Sequence, residues 1–158
     1  MSAIISGAIA AVIVYCLYRY FAGGAGIAFE KDDPRLLAAK QKARGSLPEF
    51  WSALEARDPE DEGFMLKFNL NQGSGLNDNE SIWAVDIERR NGKIFGTLGN
   101  QPVNRAFHAG QQIEILPEAI DDWGYFRNCV AQGNYVTRLM LETAPAGTAR
   151  KQREAMGW

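Results

Sequence analysis

The sequence predicts an α+β domain in which two short helices precede an antiparallel sheet, strongly curved or closed into a small β-barrel. Three observations carry that prediction. About five strand-like runs follow two helix-like ones. The connections between them are short and marked by Gly, Asn and Pro. Glu80 to Pro102 contains two β-rich runs joined by Asn91-Gly92, a dipeptide that readily takes the positive φ angles of a two-residue hairpin turn. On the first of these runs Trp83, Val85 and Ile87 fall on one face and Ala84, Asp86 and Glu88 on the other, which places Trp83 in the core.

At 158 residues the chain is long enough for one domain with an appendage and too short for two ordinary domains. With 17 Lys+Arg against 19 Asp+Glu, the net charge of -2 lacks the basic excess of a nucleic-acid binder, and nucleic acid is excluded as a partner. Cys16 lies in an apolar N-terminal run and Cys129 near the other end, so no disulfide is expected. His108 is the only histidine. Without a Cys/His cluster no zinc site is expected, and no cofactor is implied.

From Met1 to Tyr18 there is no charged side chain. Residues 3–22 would cross a bilayer of about 30 Å as a helix, with Tyr15, Tyr18, Tyr20 and Phe21 around Arg19 at the headgroups. The expected organisation is a transmembrane anchor over 1–22, a Gly-rich linker over 23–33, the α+β domain over 34–144 and a basic tail over 145–158. No Lys or Arg precedes the span, whereas Arg19, Lys31, Arg35, Lys40, Lys42 and Arg44 follow it. The positive-inside tendency therefore puts the domain on the cytoplasmic face of a bacterial inner membrane. The alternative is a secretory signal and a periplasmic or exported domain, against which stands the missing basic n-region. Ala3, Gly7 and Ala11 form a small-residue stripe through which two spans could pair as a homodimer.

Asp33-Pro34 reads as an N-cap followed by Pro at the first helical position, and Gly45 as the helix end. Ser46-Leu47-Pro48-Glu49 reads as a capping box opening a second helix, with Phe50, Trp51 and Leu54 packed on the sheet. The acidic run Asp58 to Glu62 breaks that helix as a solvated loop. Phe64, Leu66, Phe68 and Leu70 then alternate with polar or flexible residues in a first strand. A polar loop over 71–79 leads to the hairpin. Gly99 to Pro102 makes a turn, Ile113 and Ile115 mark a short strand stopped by Pro117, and Asp121, Asp122 and Trp123 sit in a turn. Tyr135 to Leu141 is expected as a last strand, with Tyr135, Thr137, Leu139 and Leu141 on one face. Arg150, Lys151 and Arg153 belong to a short solvated helix or to a surface that touches anionic lipid.

Several blocks recur in an ordered series: Leu47-Pro48-Glu49-Phe50, Phe64-Met65-Leu66-Lys67-Phe68, Glu80-Ser81-Ile82-Trp83, Gly96-Thr97-Leu98-Gly99-Asn100-Gln101-Pro102, Ala109-Gly110, Ile120-Asp121-Asp122-Trp123 and Gly133-Asn134-Tyr135-Val136-Thr137-Arg138. In these the chain resembles the bacterial YegJ-like family, domain-of-unknown-function family 2314, from about Ala38 to Leu141. The resemblance implies a bacterial origin and a shared fold, makes the N-terminal segment an addition to the domain, and supplies no mechanism.

Two functional readings follow. The first is a membrane-anchored, non-catalytic module that binds a protein or small ligand through Asn100, Pro102, Asp122, Trp123 and Arg138, where Arg138 would hold a carboxylate. The second is a hydrolase-like enzyme using Glu80, Asp122 and His108, which requires those groups to share a cleft. Cys129 has no histidine partner to activate it, and the Gly96 to Pro102 stretch lacks the Lys-Ser/Thr and helix of a phosphate loop. The first reading is favoured, with the acids serving architecture.

Overall fold

The computed structural model describes residues 29–75 and 79–158. The expected anchor, the lipid contact over 3–22, most of the linker and the Ala3, Gly7, Ala11 stripe lie outside the described residues. Among the described residues, no helix is long and apolar enough to cross a membrane. The chain runs α1 (Pro34–Gly45), α2 (Leu47–Ala56), β1 (Asp61–Asn69), β2 (Ser81–Arg90), β3 (Lys93–Leu98), β4 (Gln112–Ile115), a 3-10 turn (Pro117–Ala119), β5 (Ile120–Arg127), β6 (Val130–Gly133), α3 (Tyr135–Thr143) and α4 (Ala146–Ala155). The six strands form one antiparallel sheet in the order β4-β3-β2-β1-β5-β6. The sheet is open: β4 and β6 are its two edges, so the barrel alternative does not hold.

Local signals explain the elements that the sequence announces. Asp33 caps α1 by accepting the Arg35 N–H at 2.8 Å, and Arg57 ends α2 in the left-handed conformation. Asn91 and Gly92 have φ of 52° and 76°, the two positive values a tight hairpin needs, and Arg90 pairs with Lys93 across it. Ser46 departs from expectation. Its hydroxyl turns back to the Lys42 and Ala43 carbonyls at the end of α1 and makes no side-chain cap for α2, so the capping box does not form.

Both faces of the sheet are apolar. One face carries Leu66, Phe68, Ile82, Ala84, Leu98 and Trp123 against Phe50 and Ala53 of α2 and Ala43 of α1. A smaller cluster joins Met65, Trp83 and Phe126 to Ala131 and Met156, with Val85 and Trp158 packed on it. Trp83 is buried, as expected. Ile87 nevertheless lies in the larger cluster, away from Trp83 and Val85, because a bulge between Val85 and Glu88, with Asp86 at φ 51°, reverses the alternation.

Three further expectations are corrected. Asp121, Asp122 and Trp123 sit in an interior strand, where every residue from Ile120 to Phe126 is buried, and not in a turn. The Asp58 to Glu62 run is only partly a solvated loop: Asp61 and Glu62 begin β1, and the carboxylate of Asp61 takes a two-pronged ion pair from Arg127 at 2.7 and 2.6 Å. Tyr135 to Leu141 is helix α3, not a strand. Its spacing of apolar residues satisfies either period, and its amide-terminated end is claimed by an acceptor from β5, described below. The C-terminal segment is also helical, and it is anchored through buried Ala149 and Met156.

Candidate functional site

A pocket of about 280 Å³ opens where α1, α3 and one end of the sheet meet. Leu36 and Lys40 of α1, Val136 and Met140 of α3, Lys67 of β1, Ser81 of β2 and Asp121 of β5 line it, and Phe29, Lys31 and Asn79 form the rest. Three lysines against one carboxylate give the lining a cationic bias. The volume lies near the small end of the roughly 300–1,000 Å³ typical of ligand pockets.

A break in the β1–β5 register builds this arrangement. Lys67 pairs with Asp122 and Phe68 with Ile120, so Asp121 is left as an extra residue on β5. A bulge of this kind re-aims side chains. The Asp121 carboxylate accepts from Lys40 Nζ at 2.8 Å, from the Arg44 guanidinium at 3.1 Å and from the Ser81 hydroxyl at 3.3 Å. Arg44 Nε also donates to the Ile120 carbonyl at 2.8 Å. The α1 helix is thus tied to the bulge by two cations, which fixes Lys40 at the pocket wall.

Asp122 points the other way and joins the sheet to α3. One oxygen accepts the Trp123 and Tyr135 N–H groups at 2.9 and 3.1 Å, and the other accepts the Val136 N–H at 2.8 Å. A carboxylate at the start of a helix satisfies orphan amides and complements the helix dipole. Burial pushes the Asp122 pKa up to about 6, opposed by the three amide bonds and the positive charge of Lys67. Asn134, at φ 56°, precedes the helix and donates its N–H to the Trp123 carbonyl at 2.7 Å.

Lys67 is the group whose chemistry these contacts leave over. Its ammonium lies 5.7 Å from the centre of the Trp83 ring and makes no hydrogen bond or ion pair among the described residues. Burial lowers its pKa below the ordinary lysine range; the carboxylates of Asp122 and Asp121 oppose that shift and the charge of Lys40 reinforces it. By contrast, Lys93 is paired with Glu114 and Lys40 with Asp121, each at 2.8 Å.

The residues singled out from the sequence take separate places. The Trp123 indole N–H donates to the Ala43 carbonyl at 2.9 Å and to the Ser46 hydroxyl at 3.2 Å, locking the end of α1 to β5. Arg138 donates to the Gly133 and Ala131 carbonyls at 3.0 and 3.2 Å and lies over the Trp158 ring at 3.7 Å. Pro102 is buried in the β3–β4 connection, and the Asn100 side-chain oxygen is buried with no hydrogen-bond partner among the described residues. Glu80 holds that same connection by accepting the Val103 and Asn104 N–H groups, while His108 is exposed and contacts the Ala109 carbonyl at 3.0 Å. Among the described residues, no hydrogen bond or ion pair links Glu80, Asp122 and His108.

The sequence profile of a family described as an uncharacterised protein conserved in bacteria, DUF2314, matches residues 33–158. The chain belongs to this family. The DUF2314 match runs from the α1 cap through the C-terminal tryptophan, so it takes in every element around the pocket, including α3 and α4. No curated protein and no solved structure matches the chain.

Nothing in the Phe64 to Phe68 block of the sequence points to a role for Lys67. Alternation marks it as the polar face of β1, which in a two-layer domain faces water. Here it is half-buried in a pocket that α3 helps to wall, and the local pattern does not decide the helical state of α3.

Proposed function

We propose that this chain is a membrane-tethered, non-catalytic binding module whose pocket receives a small carboxylate with a short apolar body. The observation that carries this reading is half-buried Lys67, whose ammonium lines the pocket with no hydrogen bond or ion pair among the described residues. A buried charge without a partner costs free energy, and a ligand carboxylate would supply the missing charge and hydrogen-bond acceptor. Lys31 and Lys40 add to the attraction, and Leu36, Val136 and Met140 supply apolar wall for the ligand body. The Asn100, Pro102, Asp122, Trp123 and Arg138 set then serves the scaffold that shapes the pocket.

The tether is residues 3–22, and the Lys/Arg excess following it supports a cytoplasmic-facing domain at a bacterial inner membrane. Relationship to the YegJ-like branch of the family is part of the same reading.

The test uses the full chain in detergent micelles, titrated with acetate, propionate, pyruvate and inorganic phosphate while melting temperature and heat of binding are followed. Saturable binding of at least one carboxylate, lost in Lys67→Met and weakened in Lys31→Met, is the expected result. Binding unchanged by Lys67→Met, or no binding of any of these anions, overturns the reading.

A further inference from the structure

We propose that Lys67 holds its ligand covalently, its side-chain nitrogen adding to the carbonyl carbon of a small oxo acid in the pocket to form a reversible imine. This rests on the carboxylate-pocket reading and names the ligand class within it.

An amine attacks a carbonyl only when its lone pair is free, so a lysine engaged with a carboxylate is a poor nucleophile. Lys40 and Lys93 are engaged in that way, whereas Lys67 faces the pocket without a hydrogen bond among the described residues. Its ammonium lies over the face of Trp83, which attracts the cation but accepts no proton. Burial of the ammonium, with Lys40 as a nearby like charge, raises the fraction of free amine at neutral pH. The same Lys40 and Lys31 offer cations for the carboxylate of an oxo acid whose carbonyl reaches Lys67. The two functional groups of such a ligand therefore meet two different kinds of lysine in one pocket.

The step balances without a further reagent. The Lys67 ammonium releases a proton, the nitrogen lone pair forms the C–N bond, and the carbonyl oxygen takes up that proton to become a hydroxyl. Loss of a second proton from nitrogen to that hydroxyl lets the oxygen leave as water, and one proton stays on the iminium. Ammonium and carbonyl thus become iminium and water, with charge unchanged.

The experiment incubates the full chain in micelles with pyruvate or glyoxylate and cyanoborohydride, then maps alkylation by peptide mass spectrometry over the six lysines. Lactate, which has the carboxylate but no ketone, is the control ligand, its binding followed by melting temperature. The expected result is labelling at Lys67 at least about tenfold faster than at Lys93, blocked by lactate and absent in a Lys67→Met variant whose melting transition is retained. Even labelling of all lysines, or none at Lys67, overturns the imine. If lactate and pyruvate still raise the melting temperature alike in that case, the carboxylate pocket stands and only the covalent step fails. If neither binds, both readings fail together.

Discussion

Lys67 and Asp122 stand directly across the β1–β5 ladder from each other, yet their charges do not pair. The carboxylate is used up by three backbone N–H groups, two of them from the first turn of α3. Each group still feels the other: Lys67 holds the Asp122 pKa down against burial, and Asp122 holds the Lys67 pKa up. The geometry therefore spends the acid on architecture and leaves the base for the pocket.

A buried ammonium without a hydrogen-bonded partner is a stability liability, and functional sites commonly carry such costs. Lys67→Met keeps the length and apolar body of the side chain while removing the charge. It is expected to raise stability at pH 7 by about 1–2 kcal/mol, read as a higher urea midpoint with unchanged slope. Because the folded-state pKa of Lys67 lies below its unfolded value, the penalty fades as pH rises toward the unfolded lysine value of about 10.4. The gain from the substitution should shrink over that range. A lower midpoint in Lys67→Met would show that its ammonium is a net stabiliser.

Asp122 gives a pH dependence of definite sign. Its folded pKa of about 6 exceeds the ordinary aspartate value of 3.8, so the folded state holds the proton more tightly than the unfolded chain between those values. Its contribution is fully present below pH 3.8 and is lost as pH rises through 6. The loss is on the order of 3 kcal/mol. The difference in unfolding free energy between wild type and Asp122→Asn, measured from pH 3.5 to 7.5, should fall along that window. In Lys67→Met the window should extend to higher pH, because the charge that lowers the Asp122 pKa is gone. A flat difference curve would mean that Asp122 titrates normally.

The parts of this fold that local chemistry determines could be read from the chain. Asp33-Pro34, Asn91-Gly92 and Pro117 each act within a few residues, and each does what its side chain or ring dictates. The strand expected over Tyr135 to Leu141 is a helix because its state is decided at a distance: Asp122 on β5 meets its amides, and Asn134 supplies the turn before it. With that segment as a strand, no element is left to cover the sheet face that carries Lys67. The bulges at Asp86 and Asp121 were equally hidden, since a strict two-residue alternation has no term for an extra residue. The order of elements through β4 was thus legible, while β5, β6, α3 and the pocket, built on a bulge and a distant cap, were not.

Gly133 ties these two features together. It sits opposite Gly124 on β5 with φ +67°, and a Cβ there would run into the Trp123 ring and carbonyl oxygen. Gly133→Ala combines left-handed strain with a clash against a packed strand and should cost at least about 2 kcal/mol. Circular dichroism and thermal melting would detect the loss of α3 docking, and carboxylate binding should weaken with it because Val136 and Met140 line the pocket. A variant that melts like wild type would show that β6 can move away from Trp123 at little cost.

The C-terminal residue closes the opposite face. The Trp158 indole N–H donates to the Ala131 carbonyl at 3.0 Å, the same carbonyl that receives Arg138, and the Arg138 guanidinium lies on the indole ring. Trp158→Ala removes the ring from the cluster around Met65, Trp83 and Phe126 and is expected to cost about 1–3 kcal/mol. Hydrogen exchange should speed at the Ala131 amide, which donates to the Met156 carbonyl at 2.8 Å, before it speeds in the β1–β2 ladder. Arg138→Lys should give a smaller loss of the same kind, since an ammonium cannot stack on the ring and reach both carbonyls with a planar fork. If Arg138→Lys instead abolished carboxylate binding while the fold and the Ala131 exchange rate stayed unchanged, Arg138 would be a ligand contact and not a clamp on the chain end.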